Sequence, residues 1–178
     1  MAHTTKNPAH TFEEIDAVLA YDPGTGVLTW KVARSGTRPG NEAGGVNGRG
    51  HRQIMIDGRY YYGHRIAWLL SYGGWPTEDI DHLDGNPANN RLANLREATC
   101  SQNMGNARRS ANNTSGFKGV TWHKRLNKWQ AQITIDRRNH HLGYFTVIEA
   151  AHAAYRAAAR RGFGEFANFG AAQTEERA

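Results

Sequence analysis

At 178 residues, with 39% hydrophobic and 21% charged side chains, the chain has the length and polarity of one or two globular domains. Its single cysteine, Cys100, excludes an internal disulfide framework and any zinc site built on two or four cysteines. No apolar run approaches the ~20 residues that span a bilayer, and the first residues lack a leader's apolar stretch, so a membrane is excluded and a reducing cytoplasm is expected.

Thr11-x-x-Glu14 is a capping box, and Ile15, Val18 and Leu19 behind it fall at helical spacing, which predicts a helix from Thr11 to Ala20. Asp22-Pro-Gly-Thr-Gly26 ends it, and Val27–Val32 has strand composition. Six glycines between Gly36 and Gly50 mark an irregular connection. Two strands are predicted over His51–Ile56 and Arg59–Tyr62, joined by the hairpin dipeptide Asp57-Gly58. A short buried helix is predicted from His64 to Tyr72. His64 and Arg65 either touch a nucleic-acid backbone or anchor that helix.

The block from Ile80 to Arg109 is dense in asparagine. A strand over Ile80–His82, a turn at Asp84-Gly85-Asn86-Pro87, a returning strand over Leu95–Ala98 and a helix from Cys100 to about Arg108, capped by Thr99, give the order β-β-α. After the linker-like Ser110–Gly116, strands are predicted over Phe117–His123, Trp129–Asp136 and His140–Phe145. Thr146-x-x-Glu149 opens an alanine-rich helix that Gly162 stops. Its stripe Ile148, Ala151, Tyr155 and Ala158 can cover one sheet face, leaving the other open. Between Ala98 and Ile148 stand eight bases, Arg108, Arg109, Lys118, Lys124, Arg125, Lys128, Arg137 and Arg138, against one acid, Asp136. Set against a net charge of only +6 for the whole chain, this is the electrostatic footprint of a polyanion-binding module.

Asp81-His82-x-Asp84-Gly85, then Asn89-Asn90, Asn94-Leu95 and Gln102-Asn103, with twelve residues from His82 to Asn94 and nine more to Asn103, resemble the HNH nuclease motif. It is the ββα-metal motif of phage homing and nicking endonucleases. The resemblance extends upstream to His64-Arg65-Ile-Ala-Trp68 and Tyr21–Trp30. It implies hydrolysis of phosphodiester bonds in double-stranded DNA, with neutral His82 as general base and Asn94 orienting its imidazole. Asp81 and Asn103 would hold a hard divalent cation, Mg²⁺ first and Mn²⁺ second, with zinc not expected. An imidazole pKa near ~6.5 suits a base working at neutrality. Asn89 and Asn90 are read as fixing the loop through backbone hydrogen bonds.

Ser115-Gly-Phe-Lys-Gly-Val-Thr-Trp122, Asn127-Lys-Trp-Gln-Ala-Gln-Ile133, His141-Leu-Gly-Tyr-Phe145 and the closing Phe166-Ala-Asn-Phe169 resemble the plant ethylene-response-factor, or apetala-two, DNA-binding domain. That resemblance implies a three-stranded sheet laid in the major groove. The positions it places on the reading face are Lys118, Thr121, His123, Lys128, Gln130, Gln132, Thr134 and His141. Lys124 and Arg125 lie in the turn, with Arg108 and Arg109 as further DNA contacts. Trp122 and Trp129 are read as packing residues.

The expected architecture is α+β, in two domains. Residues 1–110 form the nuclease with a mixed amino-terminal extension; residues 111–178 form a three-stranded antiparallel sheet packed on one helix. The expected protein is a phage-type enzyme of the bacterial host cytoplasm, of homing type. As a monomer it would nick; a dimer could cut both strands. The rival expectation is a DNA-binding regulator whose nuclease half is silent scaffold.

Overall fold

Thr11 closes the first helix as its spacing predicts. Its Oγ1 accepts the Glu14 N–H, and the Glu14 carboxylate accepts the Thr11 N–H at 2.8 Å. The structure, a computed structural model, describes residues 9–34 and 36–170. Helix α1 (Phe12–Val18) stops short of the predicted Ala20. Leu19 and Ala20 instead enter β1 (Leu19–Tyr21), which pairs antiparallel with β2 (Leu28–Trp30), Leu19 opposite Trp30. Leu19, Leu28 and Trp30 are all buried, so strand pairing gains more apolar burial than another helical turn offers.

β3 (Gly45–Val46), β4 (Arg52–Ile56) and β5 (Arg59–Tyr62) form a three-stranded antiparallel sheet. Its hairpin turn has both central residues at positive φ, Asp57 at 46° and Gly58 at 79°, the conformation Asp-Gly favours. Helix α2 (Gly63–Tyr72) follows directly and ends on Gly73 in the left-handed region, whose N–H returns to Leu69 O. Ile15, Leu19, Leu28, Trp30, Ile54, Ile56, Tyr61, Ile66 and Leu69 share one core. β6 (Asp79–His82) then pairs with β7 (Leu95–Ala98), and Ile80 and Leu95 pack on Ala67 of α2.

The chain divides into two compact units between Glu97 and Ala98, upstream of the boundary expected near residue 110. Helix α3 (Cys100–Asn106) therefore belongs to the second unit. Its N-terminus is closed by a Thr99–Gln102 capping box. Its C-terminal carbonyls are satisfied within the same unit. Lys118 Nζ donates to Gly105 O and Ala107 O, the Asn168 N–H to Gly105 O, and Asn168 Nδ2 to Asn106 O at 3.0 Å. These bonds weld α3 to the loop before the second unit's sheet and to the end of its last helix.

β8 (Val120–His123), β9 (Lys128–Ile135) and β10 (Arg138–Phe145) form an antiparallel sheet in that order, and helix α4 (Ile148–Phe163) packs on one face. β8 starts at Val120, not Phe117. Ser115 Oγ donates to Phe117 O and Val120 O, and Asn113 Nδ2 to Phe117 O, so this stretch is a hydrogen-bonded loop. Two predicted helix boundaries also move. Val147, without a side-chain cap bond, is the N-cap of α4, and the helix runs through Gly162 to Phe163 before Gly164 at φ 55° ends it. Gly162 is glycine for space, because the Ile135 side chain occupies the position its Cβ would take.

Candidate active site and nucleic-acid face

Asp81 and His82 are consecutive residues of β6, and both are buried, 5% and 6% exposed. Each has its own hydrogen-bond partner. The Asp81 carboxylate is gripped from β7 by Arg96, whose Nε and Nη2 both donate to Oδ2 at 3.0 Å. The His82 imidazole meets Asn90, Nε2 to Oδ1 at 3.1 Å. A carboxamide oxygen only accepts, so this bond puts the proton on Nε2 and the lone pair on Nδ1. Burial pushes the His82 pKa below the ordinary imidazole value, against the opposing pull of the Asn90 bond and the Asp84 and Asp81 charges. The ring is neutral at pH 7.

The carboxamide on His82 Nε2 is that of Asn90. Asn94 Oδ1 accepts the Asp84 N–H, and its Nδ2 donates to Asp84 Oδ1 at 3.0 Å and to Asn89 O at 2.8 Å. It staples the turn between β6 and β7. Asn89 Nδ2 and the Asn86 N–H also donate to Asp84, each at 2.7 Å. Burial would raise the Asp84 pKa, but these bonds outweigh it and hold it below the usual carboxylate value.

Asn90 is 2% exposed and is fixed from the amino-terminal segment. The Tyr21 hydroxyl donates to Asn90 O at 2.7 Å, and burial raises that hydroxyl's pKa to about 12. Leu92 N–H bonds Pro23 O, and Arg91 Nε bonds Gly24 O, both at 3.1 Å. Gly26, at φ 78°, lies so close that a Cβ there would come within 2.5 Å of Arg91 N. The Tyr21–Gly26 turn is therefore a platform for the loop that carries Asn90.

Two histidines absent from the expected site join His82. His51, just before β4, and His64, in the first turn of α2, lie with ring centroids 5.9 and 5.1 Å from that of His82 and 5.4 Å from each other. One potential ligand atom of each lies within 4.8 Å of the others. Burial, then the charges of His82 and Arg49, lower the His51 pKa; burial, then His82, His51 and Arg65, push that of His64 well down. Arg65 itself donates to Pro76 O and Glu78 O, so it anchors the segment leading into β6. Nothing in sequence spacing announces this trio, because only the hairpin of β4 and β5 carries His51 back beside α2. Asn103 stands half-buried on α3, in the second unit.

The residues Tyr61–Gly105 match the protein-family model described as HNH endonuclease. Protein 3.8 of Escherichia phage T7 is 38% identical over 107 residues, which cover 60% of this chain and 88% of that protein. The chain belongs to the HNH endonuclease family. The "Uncharacterized HNH endonuclease L560" of Acanthamoeba polyphaga mimivirus is 35% identical over 106 residues, covering 58% of this chain and 54% of that one. No solved structure matches. In this HNH domain the family match begins on β5 and ends on α3, so both Asp81-His82 and Asn103 fall inside it, whereas His51 and the Tyr21 platform fall outside.

In the second unit, strand alternation and register place Thr121, His123, Lys128, Gln130, Gln132 and Thr134 on one sheet face. Ala131 and Ile133 turn the other way, into the core beneath α4. His141 pairs with Gln132 and joins the first face, its Nδ1 3.4 Å from Gln130 Nε2. Tyr144 stands there too, its ring centroid 5.2 Å from His123 and 4.6 Å from His141. A register shift at Gly143 turns it to that side, which a strict two-residue period hides. Lys124, Arg125, Arg108 and Arg109 are exposed. Lys118 departs from its expected place. It is half-buried on the α3 carbonyls, and burial lowers its pKa to about 8. Trp129 packs toward the core, with Trp122 edge-on to it at 4.9 Å and 45% exposed.

Proposed function

We propose that the chain is a metal-dependent endonuclease of homing type that nicks double-stranded DNA, with the second unit's sheet selecting the site. The observation that carries this reading is His82. It is a buried, neutral imidazole whose tautomer is set by Asn90, one residue from a buried carboxylate.

Phosphodiester hydrolysis needs an activated water, neutralised charge and a stabilised leaving oxygen. His82 would take the proton as the water oxygen attacks phosphorus and the bond from phosphorus to the leaving sugar oxygen breaks, and Asn90 steadies the ring through Nε2. Asp81 offers carboxylate oxygens and Asn103 a carboxamide oxygen, each a donor type suited to a hard divalent cation such as Mg²⁺, with Mn²⁺ as second choice. Such an ion would neutralise phosphate and leaving-oxygen charge. Arg96 fixes the Asp81 carboxylate through Oδ2. One such site per chain suits a nick by a monomer in the host cytoplasm.

Thr121, His123, Lys128, Gln130, Gln132, Thr134, His141 and Tyr144 would meet base edges and phosphates, flanked by Lys124, Arg125, Arg108 and Arg109. The test is relaxation of supercoiled plasmid in Mg²⁺. His82→Ala should slow it by about 10²–10⁴, the usual worth of a positioned general base. If wild type leaves plasmids of varied sequence as untouched as the variant does, the chain is a DNA-binding regulator on a silent scaffold.

A further inference from the structure

We infer that His51, His64 and His82 form a binding site for one borderline divalent transition-metal ion of the zinc type. The three ligand atoms lie within 4.8 Å of one another. A tetrahedral ion with Zn–N bonds of ~2.0–2.1 Å holds its ligands about 3.4 Å apart, so closure requires shifts of about an ångström, within reach of small side-chain rotations. The ring planes cross at 62°, 50° and 87°, so no two of the three are stacked face to face.

The decisive feature is what two of these rings, His51 and His64, lack. His64 is 7% exposed, and its Nδ1 is buried without a hydrogen-bond partner; His51 Nδ1 is in the same condition. Buried polar atoms are nearly always paired, and two unpaired imidazole nitrogens in one three-histidine cluster ask for a shared ligand. That ligand must accept lone pairs from nitrogen, which selects Zn²⁺, Co²⁺, Ni²⁺ or Cu²⁺ over Mg²⁺. Asn90, on His82 Nε2, supplies the outer hydrogen bond that metal-ligating histidines carry. Three histidines leave a fourth position for water. An ion held by His82 would compete with the proton this ring takes as a base; this consequence rests on the function proposed above, whereas the binding itself does not.

Untagged, chelator-treated full-length protein is titrated with Co²⁺ in the absence of DNA and followed by visible d–d absorption. One equivalent should give the intense spectrum of a four-coordinate ion, and Zn²⁺ should bleach it. His51→Gln and His64→Gln should each weaken binding by at least the ~10–100-fold that loss of a mere outer partner costs. His51 is only half-buried, so its variant keeps the test open should the His64 variant not fold. A weak six-coordinate spectrum, or one unchanged in folded His51→Gln, overturns the site. In a parallel plasmid assay, Zn²⁺ should stop Mg²⁺-supported nicking in proportion to spectroscopic occupancy. Protein that binds Co²⁺ as described but never nicks leaves the site standing and removes the endonuclease; protein that nicks without the spectrum does the reverse.

Discussion

Asn90 and Asn94 are four residues apart, identical in chemistry, and do different things. Asn90 meets His82 and, on the function proposed above, is a positioning residue; Asn94 holds the Asp84 turn together. Replacing Asn90 by Ala should lower kcat for plasmid nicking by about 10²-fold, with KM little changed, because ring orientation matters to the transition state and not to docking. Asn94→Ala removes three hydrogen bonds of a partly buried turn and should cost about 1–3 kcal/mol in urea unfolding. The twelve-residue interval from His82 to Asn94 shows that a loop closes, not which amide on the loop reaches the ring. That depends on the Tyr21 platform, 69 residues away from Asn90. The histidines make a second prediction at this scale. An unfolded imidazole protonates near pH ~6.5, whereas buried His64 does so only well below it. Between those values the unfolded chain binds more protons, so stability is full above about pH 6.5 and is lost as pH falls. Denaturant titrations at neutral and mildly acidic pH should show this loss, and it should be smaller in His64→Gln.

Helix α3 shows what an element needs beyond its own sequence. It has seven residues and a sound N-terminal capping box, yet it stands by virtue of Lys118 and Asn168 on its last carbonyls. Lys118→Ala should cost about 1.5–3 kcal/mol, the worth of hydrogen bonds from a charged group, and read out as a lower thermal midpoint. Lys128→Ala or Gln132→Ala, on the open sheet face, should leave that midpoint unchanged and weaken DNA binding. A lysine in a run of bases cannot be told from its neighbours by composition, and only its burial separates it from them. The strands themselves were legible: alternation located β8, β9 and β10 to within a few residues, because a half-buried sheet enforces a two-residue period. The bulge at Gly143 was not, and with it went Tyr144.

Across the whole molecule, each of the two units has its own apolar core. Most of the strands and helices follow from short-range patterns and could be read from sequence, as could the HNH resemblance of the stretch that the family model matches. The boundary at Glu97 and the His51–His64–His82 trio come from contacts between residues far apart in the chain, which local patterns do not encode. If the second unit's face contacts phosphates through its exposed bases, log K for duplex DNA should fall linearly with log salt, with a slope of about −0.9 per phosphate neutralised. Lys124→Ala and Arg125→Ala should each shallow that slope by about one, whereas Lys118→Ala in folded protein should not.

The tie from Tyr21 to the Asn90 carbonyl also sets a limit on modular engineering. A cassette cut at the borders of the family match would keep every group assigned to the reaction, yet leave behind the turn that seats the 90–92 loop. Grafted into another host, such a fragment should prove inert until the stretch beginning at Thr11 travels with it.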